Sequence, residues 1–258
     1  MDLGIKGKLA LVTGGGRGIG RAIAMCLARE GARVAVVSRT EEDVKETVEV
    51  MGGRSAGHHG IVMDLSPDEA PGLLVKDLRA NFGDPAIVVH NLGGTLGITD
   101  PFCSREEWRR VYRFNFEIAV ELNVYLVPGM QKAKWGRVIH ISSISAMENH
   151  GPATYCAMKA ALTAYTRSFG GYVAADGVMV SAVLPGAVFT EKGYWDITSR
   201  ERPEHVKKYL TERQRIGRFG KTDEIGNFVA FLCSQQASFN PGSVIPIDGG
   251  QGRGYFGQ

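Results

Sequence analysis

Paired cysteines are missing from this sequence. Its four, Cys26, Cys103, Cys156 and Cys233, are far apart, with no Cys-x-x-Cys and no Cys/His cluster at zinc spacing. That excludes a disulfide scaffold and a zinc module, and it predicts reduced thiols and no metal. Long apolar runs are missing too. None approaches the ~18 residues of a membrane span, and "MDLGIKGKLALVTGGG" has no stretch that reads as a secretory leader's core. A cytoplasmic location is expected, without a membrane partner. Charge of one sign is scarce: 30 Lys and Arg against 27 Asp and Glu leave +3. This is too mild for a nucleic-acid or anionic-membrane surface. Repeats, low-complexity tracts and linkers are absent. The 258 residues, 44% hydrophobic, fit a single domain spanning 1–258.

What is present is a set of short apolar runs that end in turn-prone or polar residues. They are "KLALVTG" (8–14), "RVAVVSR" (33–39), "GIVMDLS" (60–66), "AIVVHNLGG" (86–94), "RVIHISS" (137–143), "VMVSAVLPG" (178–186) and "GSVIPIDGG" (242–250). Most are rich in Val and Ile without strict alternation, as strands buried on both faces are. Helix-like segments lie between them, at 18–30, 41–51, 67–82, 104–131, 153–175 and 222–234. The pattern predicts an α/β fold: a Rossmann-like, doubly wound parallel sheet of about seven strands with helices on both faces. Ligands bind such sheets beyond the carboxyl ends of the strands, so chemistry is expected where these runs stop.

The first run stops in "TGGGRGIG", Thr13 to Gly20, between a strand and a helix. Free N–H groups and the positive end of the helix dipole suit a pyrophosphate there, and glycines allow close approach. The spacing is Gly14-x-x-x-Gly18-x-Gly20, with Arg17 and Ile19 inside it. Its form resembles the TGxxxGxG fingerprint of the classical short-chain dehydrogenase/reductase family. The second run stops in Ser38 and Arg39, where a carboxylate would accept the ribose hydroxyls of NAD. Guanidiniums at Arg39 and Arg17 instead suit a 2′-phosphate, so NADP(H) is expected over NAD(H).

Tyr155 and Lys159 stand four residues apart in a helix-like stretch and so share a face. A free phenol has a pKa near ~10; a neighbouring ammonium favours the phenolate and is expected to lower it. Ser142 and Ser143 end the fifth run. Asn115 lies inside a long helical segment, where asparagine is a poor helix former.

Taken together these residues resemble the family's Asn–Ser–Tyr–Lys tetrad. The resemblance covers essentially the whole chain and implies catalytic roles for Asn115, Ser143, Tyr155 and Lys159. The serine has two candidates: strand register selects Ser143, and a count of thirteen back from Tyr155 selects Ser142. Register is the stiffer guide, and Ser143 is preferred. The resemblance also implies cofactor contacts at Asp64 and Leu65 after the third run. Further contacts are implied at Asn91 and Gly93 of "HNLGG", and at Pro185, Gly186, Val188 and Thr190 of "LPGAVFT". Here the family's NNAG element has His90 for its first asparagine and Leu92 for its alanine. His90 reads as a strand or core histidine.

The implied activity is NADP(H)-dependent reduction of a carbonyl to a secondary alcohol, or the reverse. Tyr155 would move the proton. Lys159 would bind the nicotinamide ribose, and Asn115 would bend its helix and hold a relay water. An insertion at about 190–221 would cover the substrate. It holds nine Lys and Arg against five Asp and Glu, which fits an acidic or carrier-bound substrate, such as a 3-oxoacyl carrier or a phosphorylated sugar or polyol. A non-catalytic NADP(H) sensor is the alternative, disfavoured because sensing needs no proton relay. An enoyl reductase fits less well, since those relatives space Tyr and Lys further apart. By analogy a homotetramer or homodimer is expected, with helices around Asn115 and Tyr155 in contact and the tail carrying Tyr255 and Phe256 packed across subunits.

Overall fold

The computed structural model describes residues 1–148 and 150–253. Tyr255 and Phe256 lie outside the described residues. Seven strands form one sheet: β1 (Leu9–Thr13), β2 (Arg33–Ser38), β3 (His59–Val62), β4 (Ile87–His90), β5 (Gly136–Ile141), β6 (Val178–Pro185) and β7 (Ser243–Ile247). Their order is β3-β2-β1-β4-β5-β6-β7, and every pairing is parallel. The direction of winding reverses between β1 and β4, and this switch point opens the crevice where such sheets bind ligands.

Among the described residues, α-helices connect and cover the strands: α1 (Gly18–Arg29), α2 (Glu41–Val50), α3 (Ala70–Asn81), α4 (Arg105–Tyr112), α5 (Ile118–Lys132), α6 (Ala153–Val173), α7 (Tyr194–Glu201), α8 (Pro203–Arg213) and α9 (Thr222–Leu232). On one face Ile23 and Leu27 of α1, Val44 of α2 and Val229 of α9 pack with Val12, Val36 and Val89. On the other, Leu74 and Leu78 of α3 and Leu122 and Leu126 of α5 pack with Leu11, Val37 and Val88. Neighbours along a strand thus feed opposite cores, which is why β1 has no polar face. Each such side chain, fully buried, contributes roughly 1.5–3 kcal/mol.

The segment read as one helix over 104–131 is helical throughout, but α4 passes into α5 through a different winding. Residues Arg113–Glu117 form a wide, π-helical turn between α4 and α5. The Asn115 side chain explains part of this: its Nδ2 donates to the Val111 carbonyl at 2.9 Å, competing with the backbone for that acceptor. The stretch around 190–221 forms the helix pair α7 and α8. Trp195 lies between Tyr209 (4.3 Å) and Phe219 (4.8 Å), measured between ring centroids.

Candidate active site

A cavity of about 390 Å³ opens along the carboxyl edge of β1, β2, β4, β5 and β6. At one end lies the glycine turn. Arg17 precedes α1 in extended conformation, so the first N–H groups of the helix are free of a side-chain cap. The turn is tied to β4: Asn91 N donates to Thr13 Oγ1 at 3.0 Å, and Asn91 Nδ2 donates to the Gly14 carbonyl at 3.1 Å. Gly14, Arg17, Gly18 and Ile19 wall the cavity. Gly20 does not. It is buried against the turn, and a Cβ there would lie 2.2 Å from the Gly14 carbonyl oxygen. Its place in the fingerprint is therefore explained by packing of helix on turn.

Ser38 and Arg39 at the end of β2 line the cavity, as do Asp64, Leu65, Asn91, Gly93, Pro185, Gly186 and Thr190. Neither Arg17 nor Arg39 is in a salt bridge among the described residues. Burial alone would raise the Asp64 carboxyl. Hydrogen bonds from the Ser66 N–H and hydroxyl, with the Arg39 charge, hold it below its ordinary value. Val188 is not in this lining; it is buried and bridged to Gly220.

The other end is built from β5 and α6. Both serines wall the cavity, but their hydroxyls have different partners. Ser142 is buried, with its hydroxyl donating to the Lys159 carbonyl at 3.0 Å and 3.2 Å from Thr163 Oγ1. Ser143 is only partly buried, is bonded to Ser145, and walls the cavity together with Tyr155. The side chain of Ser142 thus braces α6, while that of Ser143 shares the cavity wall with the tyrosine.

Lys159 is only 2% exposed. Its Nζ donates to the Ile141 carbonyl at 2.9 Å and stands 5.6 Å from the centroid of the Tyr155 ring. A Cβ on Gly93 would come within 2.5 Å of this ammonium and 2.9 Å of Asn115 Oδ1, so glycine lets the lysine and asparagine approach one strand end. Asn115 lies behind that end. Its Oδ1 accepts from Gly94 N and its Nδ2 donates to Gly94 O, both at 2.9 Å.

Acidification of the phenol, expected from the Tyr–Lys spacing, is not the net effect. Burial pushes Tyr155 up; the Ser143 hydrogen bond pulls it part of the way back. Burial likewise disfavours the Lys159 ammonium and lowers its pKa to about 8. Lys159 still carries its charge at neutral pH, but the spacing alone gave no indication of what burying both groups costs.

His90 is a core residue. Its Nε2 is 2.8 Å from Asn123 Oδ1, and burial lowers its pKa to about 4, so it is neutral. Phe114 and Ser66 also wall the cavity and were not singled out from sequence. The signal for Phe114 was its place beside Asn115. Gln251 was missed as well: its Oε1 accepts from Ala187 N at 2.8 Å, and its Nε2 donates to the Tyr209 hydroxyl, joining the turn after β6 to α8. No metal-binding group of His, Cys, Asp and Glu exists among the described residues, and no helix among them is long and apolar enough to cross a membrane.

A family profile described as enoyl-(acyl carrier protein) reductase matches residues 14–251. The 3-oxoacyl-acyl-carrier-protein reductase FabG of Pseudomonas aeruginosa is 34% identical, over 96% of this chain and 98% of its own. FabG of Aquifex aeolicus is 33% identical, over 97% and 99%. Among solved structures, L-sorbose reductase from Gluconobacter frateurii, complexed with NADPH and L-sorbose, superposes with a TM-score of 0.90. It is 30% identical, with 97% of this chain and 98% of that one covered. A 3-oxoacyl (acyl-carrier-protein) reductase from Agrobacterium tumefaciens C58 with NADP bound superposes with a TM-score of 0.89. It is 28% identical, with 96% of each chain covered.

Proposed function

The chain belongs to the short-chain dehydrogenase/reductase family, and from that membership we propose that it interconverts a carbonyl and a secondary alcohol with Tyr155 moving the proton. It is an NADP-dependent oxidoreductase of that family. The observation that carries the proposal is the meeting of Ser143, Tyr155 and Lys159 at one end of a cavity whose other end is the glycine turn.

The residues present fit the cofactor. The turn offers free N–H groups, the β2 end has no carboxylate, and unpaired guanidiniums flank it at Arg17 and Arg39. When bound, NADP(H) supplies or takes up the hydride. Asp64, Leu65, Asn91 and Gly93 would hold its adenosine part. Pro185, Gly186, Val188 and Thr190 close the nicotinamide side, Val188 through its backbone.

The remaining work belongs to side chains. The Ser143 hydroxyl and the Tyr155 phenol hydrogen-bond the carbonyl oxygen, and Tyr155 delivers its proton to that oxygen as the alcohol forms. The Lys159 ammonium would hold the ribose hydroxyls and stabilise the phenolate left behind. Asn115 fixes the Gly93–Gly94 strand end beside Lys159, where a water can return the proton. Burial that raises Tyr155 supports reduction at neutral pH, since the donor keeps its proton.

We read residues 1–258 as one domain, with 190–221 covering the substrate. The local excess of cations supports an acidic or carrier-bound substrate, and the cluster around Trp195 supports an apolar wall. The four-residue Tyr155–Lys159 spacing favours carbonyl over enoyl reduction. Exposed Val124 and Tyr125 on α5 and Tyr172 on α6 support a homotetramer or homodimer through these helices. A cytoplasmic location follows from the same reading.

The test is NADPH consumption against ketones, 3-oxoacyl thioesters and keto-sugars. Turnover of at least one class, with NADPH preferred over NADH, is expected. Tight NADPH binding with no turnover of any class would replace the enzyme with a sensor.

A further inference from the structure

Asn115 is the middle residue of the π-helical turn, and Arg113 begins it. A π turn is a rare, single-turn bulge in an α-helix and persists where something holds it. Arg113 does so at both ends. Its Nη1 donates to Glu117, the last residue of the turn, at 3.0 Å and to Glu121 on α5 at 2.6 Å. Its Nε donates to the Ser66 carbonyl and its Nη2 to the Pro67 carbonyl, both at 3.0 Å. One planar guanidinium thus serves four acceptors on two separate segments, which the single ammonium of lysine cannot reproduce. The side chain is only 11% exposed, so these bonds are sheltered from water.

The two segments matter. Ser66 belongs to the loop after β3 that walls the cavity beside Asp64 and Leu65. Phe114, next to Arg113, walls the same cavity, and Asn115 holds both backbone groups of Gly94. We propose that Arg113 is a positioning residue: it clamps the wide turn that presents Asn115 and ties that turn to the adenosine-side loop. Cofactor binding and the proton relay then rest on one shared support. This rests on the cofactor and relay roles proposed above.

The test uses the full chain as Arg113→Met, Arg113→Lys and the double variant Glu117→Gln/Glu121→Gln. The readouts are NADPH affinity by fluorescence titration, exchange of the Gly94 amide by NMR, and the pH profile of kcat. Arg113→Met is expected to weaken NADPH roughly tenfold and to speed Gly94 exchange by a similar factor, about the loss of a charge-assisted hydrogen bond. Arg113→Lys should be intermediate. Both, and Asn115→Ala beside them, should change the pH profile of kcat in the same direction. The double variant keeps the tether to Ser66 and Pro67. It should speed Gly94 exchange while NADPH binds as in wild type, and it decides the matter if Arg113→Met does not fold. A lower Tm with NADPH affinity and Gly94 exchange both at wild-type values would reduce Arg113 to an ordinary ion pair and overturn the proposal. Binding and exchange need no turnover. A wild-type chain that reduces no carbonyl would therefore sink the catalytic reading while these two measurements still judge the clamp.

Discussion

The two ends of the cavity are made of different material. At the β1–α1 end the wall is built on the glycine turn, with Gly14 and Gly18 flanked by the fixed charges of Arg17 and Arg39, and it is held by bonds such as Asn91 Nδ2 to the Gly14 carbonyl. At the β5–α6 end it is side chains with distinct chemistry: the Ser143 hydroxyl, the Tyr155 phenol and the Lys159 ammonium. Backbone N–H groups recognise charge and shape without changing state, which suits a ligand that must be held. Titratable side chains change state, which suits a step in which a proton moves. Substitutions at the first end should therefore alter affinity, and those at the second should alter rate.

The sharpest way to break that division is Tyr155→Phe. The ring and its packing remain and only the proton is lost. The rate of carbonyl reduction should fall roughly 10³-fold, within the range for losing a general acid, with NADPH affinity near wild type. Comparable losses in both, measured by turnover and fluorescence titration, would mean that the two ends are not separable.

The paired serines refine the comparison within one end. Ser143→Ala removes the hydroxyl that meets Tyr155 and should lower kcat by roughly 10²-fold, as for an oxyanion-type donor. Ser142→Ala removes a bond to the Lys159 carbonyl and should cost stability, about 1 kcal/mol, more than rate. If Ser142→Ala were the one to lose turnover with an unchanged Tm, the two roles would be exchanged.

At the other end, Arg39→Ala should weaken NADPH by roughly 30-fold, in line with one charge-assisted contact to a phosphate, and leave NADH nearly unaffected. Equal weakening of both, by titration, would remove the 2′-phosphate role. A fall in kcat at saturating NADPH would blur the division between the ends.

The two ends also differed in how far sequence could reach them. The glycine turn, the strand ends and the Tyr155–Lys159 pair were legible because each is local: a spacing, or the last residues of an apolar run. Register along β5 pointed to Ser143 over Ser142 on the same local grounds. What stayed hidden depended on distant segments meeting. Arg113 reaches Ser66 and Pro67 across 46 or more positions of sequence, and Gln251 joins Ala187 to Tyr209. Gly20 kept its fingerprint spacing but serves packing, which a motif does not distinguish from binding. The change of winding between α4 and α5 was hinted at by Asn115 alone, because asparagine in a helix marks a conflict without saying how the backbone resolves it.

The smallest expected effect concerns pH, and it sharpens the comparison because only the side-chain end titrates near neutrality. Burial sets the Lys159 pKa at about 8, below its ordinary 10.5, so the ammonium is present at pH 7 and is lost as pH rises through 8. Tyr155 is pushed up and keeps its proton beyond that point, so the lysine sets the alkaline limb. Reductive kcat should be nearly flat from pH 6 to 7.5 and fall about tenfold by pH 9, the factor for one unit beyond a pKa. Unfolding cannot mimic this through Lys159. Between pH 8 and 10.5 the unfolded chain binds this proton more tightly than the folded one, so the contribution of Lys159 to stability rises with pH while activity falls. A thermal melt beside the rate profile separates the two. A rate that stays level to pH 10 would show that the charge on Lys159 is not needed for the proton to move.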